Sequence, residues 1–200
     1  MSPAGAGACG MASRTPEPWM PLTLLRAGLL ALGAALAMMA PVQVCAQVVP
    51  EGAMKASYVY NFMRYANWPA AAEARSGGNT LLCLMGADAV TSELQKLNGR
   101  GLAGVGKIQV VSLNSLKGIR DCHALFISER DIDNIGIINR MIGDAPVLTL
   151  ADSPAANDVA INMVLENDRV LFDVNLGLVK MGGMSLSSKV LRLARAVRGS

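Results

Sequence analysis

The sequence predicts an α/β fold: a mostly parallel central sheet with helices on both faces, completed by a C-terminal antiparallel hairpin plus a terminal helix. Three observations carry that expectation. Short apolar runs without polar alternation, TLLCLM, CHALFIS and PVLTL, are separated by amphipathic stretches, which is how strands covered on both faces read. Two further apolar runs, 159–165 and 169–174, flank the turn-forming Glu166-Asn167-Asp168, the pattern of a hairpin with a short loop. The 154 residues from 47 to 200 are enough for one domain with a core and too few for two ordinary ones.

In chain order, residues 52–68 (GAMKASYVYNFMRYANW) form the first helix. Met54, Tyr58, Phe62 and Tyr65 recur at spacings of three and four and make one apolar stripe, with Lys55 and Arg64 beside or outside it. Trp68-Pro69 ends the helix, because proline restricts its predecessor and donates no amide hydrogen bond. A small-residue loop, 70–79, leads to a central strand over 80–85. Asp88 caps a helix over 89–97 that closes at Asn98-Gly99. Strands follow at 107–113 and, after a brief turn, at 122–128. Asp131 or Asp133 caps a helix running through Met141, and 146–150 is a fourth strand. Crossover helices between these strands imply parallel pairing. After the hairpin, 175–181 is a short helix ending at Gly182-Gly183. Ser185 or Ser187 then caps a terminal helix, with Val190, Leu191, Leu193, Ala194 and Val197 inward and Lys189, Arg192, Arg195 and Arg198 on a solvent stripe.

Residues 1–46 read as a signal peptide and are set apart from the fold, leaving 47–200 as the α/β domain. Arg14 and Arg26 precede an uncharged run of 14 residues, 27–40, shorter than the roughly 20 that a membrane-spanning helix requires. Val44-Cys45-Ala46 supplies small residues before a cut at Gln47, and Met20 is an alternative start. A retained anchor would place Arg26 inside the span, and lipidation at Cys45 would put bulky Val44 where a small residue belongs.

Composition excludes several classes of function. The whole chain carries 18 Lys+Arg against 15 Asp+Glu, and without the leader 16 against 14, a net charge of +2 with the basic residues mostly scattered. That is no footprint for a phosphate backbone, so no nucleic-acid partner is expected. Cys83 and Cys122 remain after the leader; in an oxidising compartment they admit one bridge, and otherwise they are two buried thiols. Two cysteines and His123 do not complete a tetrahedral metal set, and Cys122 and His123, adjacent on a strand, point to opposite faces, which rules out a Cys/His nucleophile pair. The glycines between Gly99 and Gly106 precede a strand rather than a helix and so read as a turn, not a phosphate cradle. Glu166, Asp168 and Asp173 read as salt-bridge partners or surface acids rather than a carboxylate pair, and Asn162 and Asn175 as amides that pin loop backbone. No cofactor, metal or catalytic residue is expected, and the chain reads as a non-enzyme.

Five segments together resemble the YfiR-type periplasmic proteins: KASYVYNFMRYANWP (55–69), LLCLMG (81–86), CHALFIS (122–128), INMVLENDRVLFDVNL (161–176) and SSKVLRLARAV (187–197). The resemblance implies a periplasmic α/β protein, a homodimer, that restrains a membrane-bound diguanylate cyclase by contacting its periplasmic portion. Release of the restraint, through envelope stress, redox change or capture by an outer-membrane lipoprotein, raises cyclic di-GMP and favours biofilm. Cys83 and Cys122 look like one disulfide of the best-known member; its second, closely spaced pair has no counterpart, since 153–165 contains no cysteine. A regulator acts by binding one state of its partner better than another, so the expected partner-binding residues lie on helix surfaces: Arg192, Arg195 and Arg198 on the terminal helix, Tyr58, Phe62 and Tyr65 on the first. The alternative is a periplasmic small-ligand-binding module.

Overall fold

In the computed structural model, residues 49–102, 104 and 106–199 are described, so the expected signal peptide lies outside the described residues. The first helix, α1 (Glu51–Tyr65), starts after Pro50, whose carbonyl accepts from the amides of Ala53 and Met54. It stops short of Trp68 because the next two residues, β1 (Ala66–Asn67), pair antiparallel with β8 (Ser185–Leu186). The stretch expected as a loop contains a second helix, α2 (Ala70–Arg75). Three consecutive alanines behind Pro69 favour helix strongly, and a composition read as small-residue linker conceals that propensity.

The doubly covered sheet then follows as the sequence reads. The elements are β2 (Thr80–Met85), α3 (Ala89–Gln95), β3 (Ile108–Leu113), β4 (Ala124–Ile127), α4 (Ile135–Ile142) and β5 (Leu148–Ala151). Asp88 caps α3 with its side chain on the Thr91 amide at 2.7 Å, and Thr91 Oγ1 accepts the Asp88 amide in return. Neither Asp131 nor Asp133 caps α4. Both lie in a 3-10 segment, Glu129–Asn134, set up when the Asp131 amide bonds the Ser128 carbonyl, and α4 starts only beyond it.

The hairpin strands are β6 (Ile161–Glu166) and β7 (Arg169–Asn175). Asn167 and Asp168 at their turn have φ of 50° and 58°, the left-handed pair that matches a two-residue connection to the twist of the strands. After β7 come α5 (Leu176–Met181), whose first turn is capped by Asn175 Oδ1 on the Leu178 amide at 3.3 Å, and β8.

The terminal helix is corrected by the structure. It lasts one turn, α6 (Ser188–Leu191), capped by Ser187, and residues beyond it form β9 (Ala196–Arg198). The seven-stranded sheet has the order β3-β2-β4-β5-β6-β7-β9, and every neighbouring pair is parallel except β6 with β7. The open backbone of β7 takes up the chain end: Val174 pairs with Val197, and the Arg195 amide donates to the Phe172 carbonyl at 2.8 Å. Ladder bonds and a β-branched residue at the pairing position outweigh the helical spacing of the arginines.

Two apolar clusters cover the two faces. On one, Leu82, Leu84, Phe126 and Leu150 meet Val59, Phe62 and Met63 of α1 and Leu94 of α3. On the other, Cys83, Leu125 and Ile127 meet Ile135, Ile138 and Ile142 of α4. The largest side chains of both are fully buried, which is the packing that fixes the strands in register.

Candidate functional site

Alternation along a strand decides what the chemically capable residues do. Cys122, on the α4 face at the entry to β4, is bonded to Cys83 of β2 with a Cα separation of 5.9 Å, and both residues are 1% exposed. The bridge is thus one between adjacent strands. The next residue, His123, points the other way and is also buried. Its Nδ1 accepts the Leu81 amide at 3.1 Å, and its Nε2 lies 3.1 Å from the Ala72 carbonyl, an acceptor that assigns the proton to Nε2. Trp68 Nε1 donates to the His123 carbonyl at 2.9 Å. Burial holds the imidazole below its ordinary pKa, against the pull of the Ala72 carbonyl. The histidine therefore ties α2 to β2 and β4, and neither cysteine is available to it as a nucleophile.

Beside the edge strand β9, Arg195 is exposed, as a solvent stripe requires, and is engaged in ion pairs there. It donates from Nε and Nη2 to the two carboxylate oxygens of Asp173, at 3.0 and 2.8 Å, and from Nη1 to Glu166. The Arg195 hydrogen bond holds the Asp173 carboxyl below the usual carboxylate range. Glu166 and Asp173 are ion-pair partners, as their sequence context suggests. Asn162 is pinned similarly, donating from Nδ2 to the Ser153 carbonyl at 2.8 Å. Arg192 and Arg198 remain exposed, and Arg192 forms no ion pair among the described residues.

The aromatic stripe of α1 divides. Phe62 is a core residue with its ring 4.8 Å from that of Phe172, so it is corrected from a surface position to an interior one. Tyr58 is half-buried at the edge of the same cluster, 6.1 Å from Phe172. Tyr65, at the end of α1, stays accessible, with the cations of Arg64 and Lys189 5.6 and 5.7 Å from its ring centre. The surface formed by the end of α1 and α6 thus carries Arg64, Tyr65, Lys189 and Arg192, followed by Leu193, which is 75% exposed. Sequence reasoning singled out Arg192, placed Arg64 and Lys189 on separate helix surfaces and set Leu193 inward, where the structure exposes it, because the contact between α1 and α6 joins residues more than a hundred positions apart.

Lys55 also departs from expectation. It is buried rather than beside the stripe, with Nζ 3.1 Å from Asp152 Oδ2 and 2.5 Å from Glu51 Oε1. Burial pushes the Asp152 carboxyl up while Lys55 pulls it down, and the rise prevails. The pair fastens the first turn of α1 to the carboxyl end of β5.

A family model described as YfiR/HmsC-like matches residues 52–195, from the first turn of α1 to the arginine that clamps β9. The chain belongs to the YfiR/HmsC-like family. This YfiR/HmsC-like family is regulatory rather than catalytic; it is periplasmic and acts with a membrane diguanylate cyclase. No curated protein matches this YfiR/HmsC-like chain. Among solved structures, an ABC domain in complex with L-Trp from Streptococcus pneumonia is 7% identical, with a TM-score of 0.44 over 59% of this chain and 55% of its own. A conserved domain protein from Vibrio cholerae o1 biovar eltor is 6% identical, with a TM-score of 0.48 over 75% of this chain and 61% of its own. The chain therefore spans less than two thirds of either structure, and likenesses this distant say nothing of a ligand or a partner. No helix among the described residues is long and apolar enough to cross a membrane.

Proposed function

We propose that this YfiR/HmsC-like chain is a periplasmic, non-catalytic regulatory binding protein that restrains a membrane-bound diguanylate cyclase, lowering cyclic di-GMP signalling and biofilm formation. The observation that carries the reading is the family match over residues 52–195, nearly the whole described fold. The chemistry of the fold supports it: the histidine and both cysteines are engaged in holding strands together, and Glu166 and Asp173 in holding Arg195. The work then falls to the outer surface.

The partner is the periplasmic portion of the cyclase, with an outer-membrane lipoprotein as the competing ligand that releases it and a homodimer as the acting form. The surface we assign to the partner is the α1–α6 patch: Arg192, with Tyr65, Arg64 and Lys189, and Tyr58 at its margin. Arginine and tyrosine at the centre of a contact contribute most of the binding energy in ordinary interfaces. Phe62 supports that surface from behind, while Arg195 is exposed and held by Asp173 and Glu166.

The test is capture from membranes with the tagged protein, together with a cyclic di-GMP measurement in a deletion strain. A cyclase in the captured fraction and a raised nucleotide level in the deletion are expected. Capture of no cyclase with an unchanged nucleotide level overturns the reading. A second reading, an envelope module that binds a small ligand, is favoured by a cavity at the carboxyl ends of β2 and β3. The two are compatible when the ligand is an effector.

A further inference from the structure

The chain leaves β2 over one face through α3 and leaves β4 over the opposite face through α4. In a doubly wound sheet that reversal opens a crevice outside the carboxyl ends of the strands, the place where such sheets hold small molecules. Here the crevice is a cavity of about 620 Å³, bounded by the end of β2, the start of α3, the residues after β3 and the segment after β4. That volume suits a small organic ligand.

Gly86 forms its floor with φ of 86°. A Cβ at that position would lie 1.8 Å from Ser128 Oγ and 2.7 Å from Asp131 Oδ2, so the glycine lets those two oxygens close over the end of β2. They are held there by the backbone, the Ser128 amide on the Met85 carbonyl and the Asp131 amide on the Ser128 carbonyl, each at 3.0 Å. Ser128 is fully buried, and its hydroxyl oxygen has no hydrogen-bond partner among the described residues. Ser128 does not line the cavity, so it stays beneath Gly86 and leaves Asp131 as the charged group that faces the space.

Asp131 is the one charged residue among those described in the lining, and its carboxylate meets no cation there. Leu113, Leu116 and Ile137 make an apolar wall, and Ile137 is 45% exposed although its side chain is aliphatic. The side-chain amide of Asn114 adds a neutral donor and acceptor at the rim. A phosphate or carboxylate ligand would meet Asp131 with no compensating cation, which the low dielectric of a crevice penalises.

We propose that this cavity binds a small organic amine: its protonated nitrogen on Asp131, its apolar body along Leu113, Leu116 and Ile137. The assignment goes beyond the regulatory reading and does not rest on it. The direct probe is 2-phenylethylamine, titrated into the purified protein by calorimetry and followed by amide chemical shifts, with phenylacetate as the anion of matching shape. Saturable one-to-one binding of the amine is expected, with shifts concentrated at 86–87, 113–116 and 131–137 and none of that response to phenylacetate. Asp131→Asn should weaken the amine by about tenfold or more, the loss of one hydrogen bond to a charged group. Ile137→Lys, which sets a like charge on the exposed wall, should abolish it. Absence of amine binding, equal binding of phenylacetate, or undiminished affinity in Asp131→Asn overturns the assignment. The comparison of amine with anion in the unaltered protein decides the matter even where a variant folds poorly.

Discussion

Arg195 and Asp173 face each other through two parallel hydrogen bonds, Nε to Oδ1 at 3.0 Å and Nη2 to Oδ2 at 2.8 Å, and that fork fastens the entry of the last strand to β7. It sits one residue before β9 and reaches Asp173 of β7, so it adds to the ladder bonds at the point where the last strand begins. Bidentate guanidinium–carboxylate contacts add geometric specificity to their energy, which a lysine at the same place does not supply.

Replacing Arg195 with Ala should release β9 while leaving the rest of the sheet intact. Hydrogen exchange at the Val197 amide is expected to accelerate strongly, with little change at Phe126 in the centre. Equal protection of Val197 in both proteins would show that ladder bonds alone hold the strand. The fork also has a definite pH sign. Because the folded Asp173 pKa is depressed, its contribution is present above the unfolded carboxylate pKa and is lost as pH falls through the folded value. Protection of Val197 should therefore decline in acid in the native protein and be flat over that range in Arg195→Ala. Arg192→Glu, by contrast, should leave exchange unchanged and reduce capture of the cyclase.

His123 gives a second pH dependence, at higher pH. Its folded pKa is lowered chiefly by burial, so the neutral ring is favoured in the fold. Stability is then complete above the unfolded value of about 6.5 and falls as pH drops from there toward the folded value. Substitution by Phe removes that dependence and strands the Leu81 amide and Ala72 carbonyl, at a cost of about 1–3 kcal/mol at neutral pH. Denaturant melts of both proteins across the range from neutral to mildly acid check both statements.

The Cys83–Cys122 bridge joins positions 39 residues apart and constrains the unfolded chain. Replacing both cysteines with Ala should lower stability by up to about 4 kcal/mol, the chain-entropy limit for a loop of that size. Since both residues are 1% exposed, reduction by a thiol in native conditions should be slow and should speed up in mild denaturant. Fast native reduction, read by alkylation and mass spectrometry, would contradict this.

Lys55→Ala leaves the buried Asp152 carboxylate without its cation and should cost about 3 kcal/mol. The double variant Lys55→Met, Asp152→Leu should recover much of that loss, because it removes both desolvated charges together. Melting temperatures of the two variants, measured side by side, decide it. No recovery in the double variant would mean that the pair contributes more than its own desolvation costs.

The apolar runs at 80–85, 124–127 and 148–151 specify central strands by composition alone, since side chains buried on both faces leave no polar alternation to read. Asp88 and the Asn167-Asp168 turn are equally legible, because a cap and a two-residue hairpin are local chemistry. So are the opposed directions of Cys122 and His123, which follow from the period of a strand, and the structural engagement of Asn162 and Glu166.

Tertiary structure alone decided the strand at 196–198, the burial of Lys55 and Phe62, and the shape of the crevice over Gly86. The segment after Leu191 continues the spacing of a helix, and only the unpaired edge of β7, brought there by the hairpin, makes strand the better solution at 196–198. Lys55 is drawn inside by an aspartate 97 positions away, and Ser128 and Asp131 meet Gly86 only because β2 and β4 are neighbours in the sheet. In each case the deciding partner is distant in sequence, and local propensities of a few tenths to one kcal/mol per residue yield to ladder bonds, ion pairs and burial that exist only once the sheet has assembled.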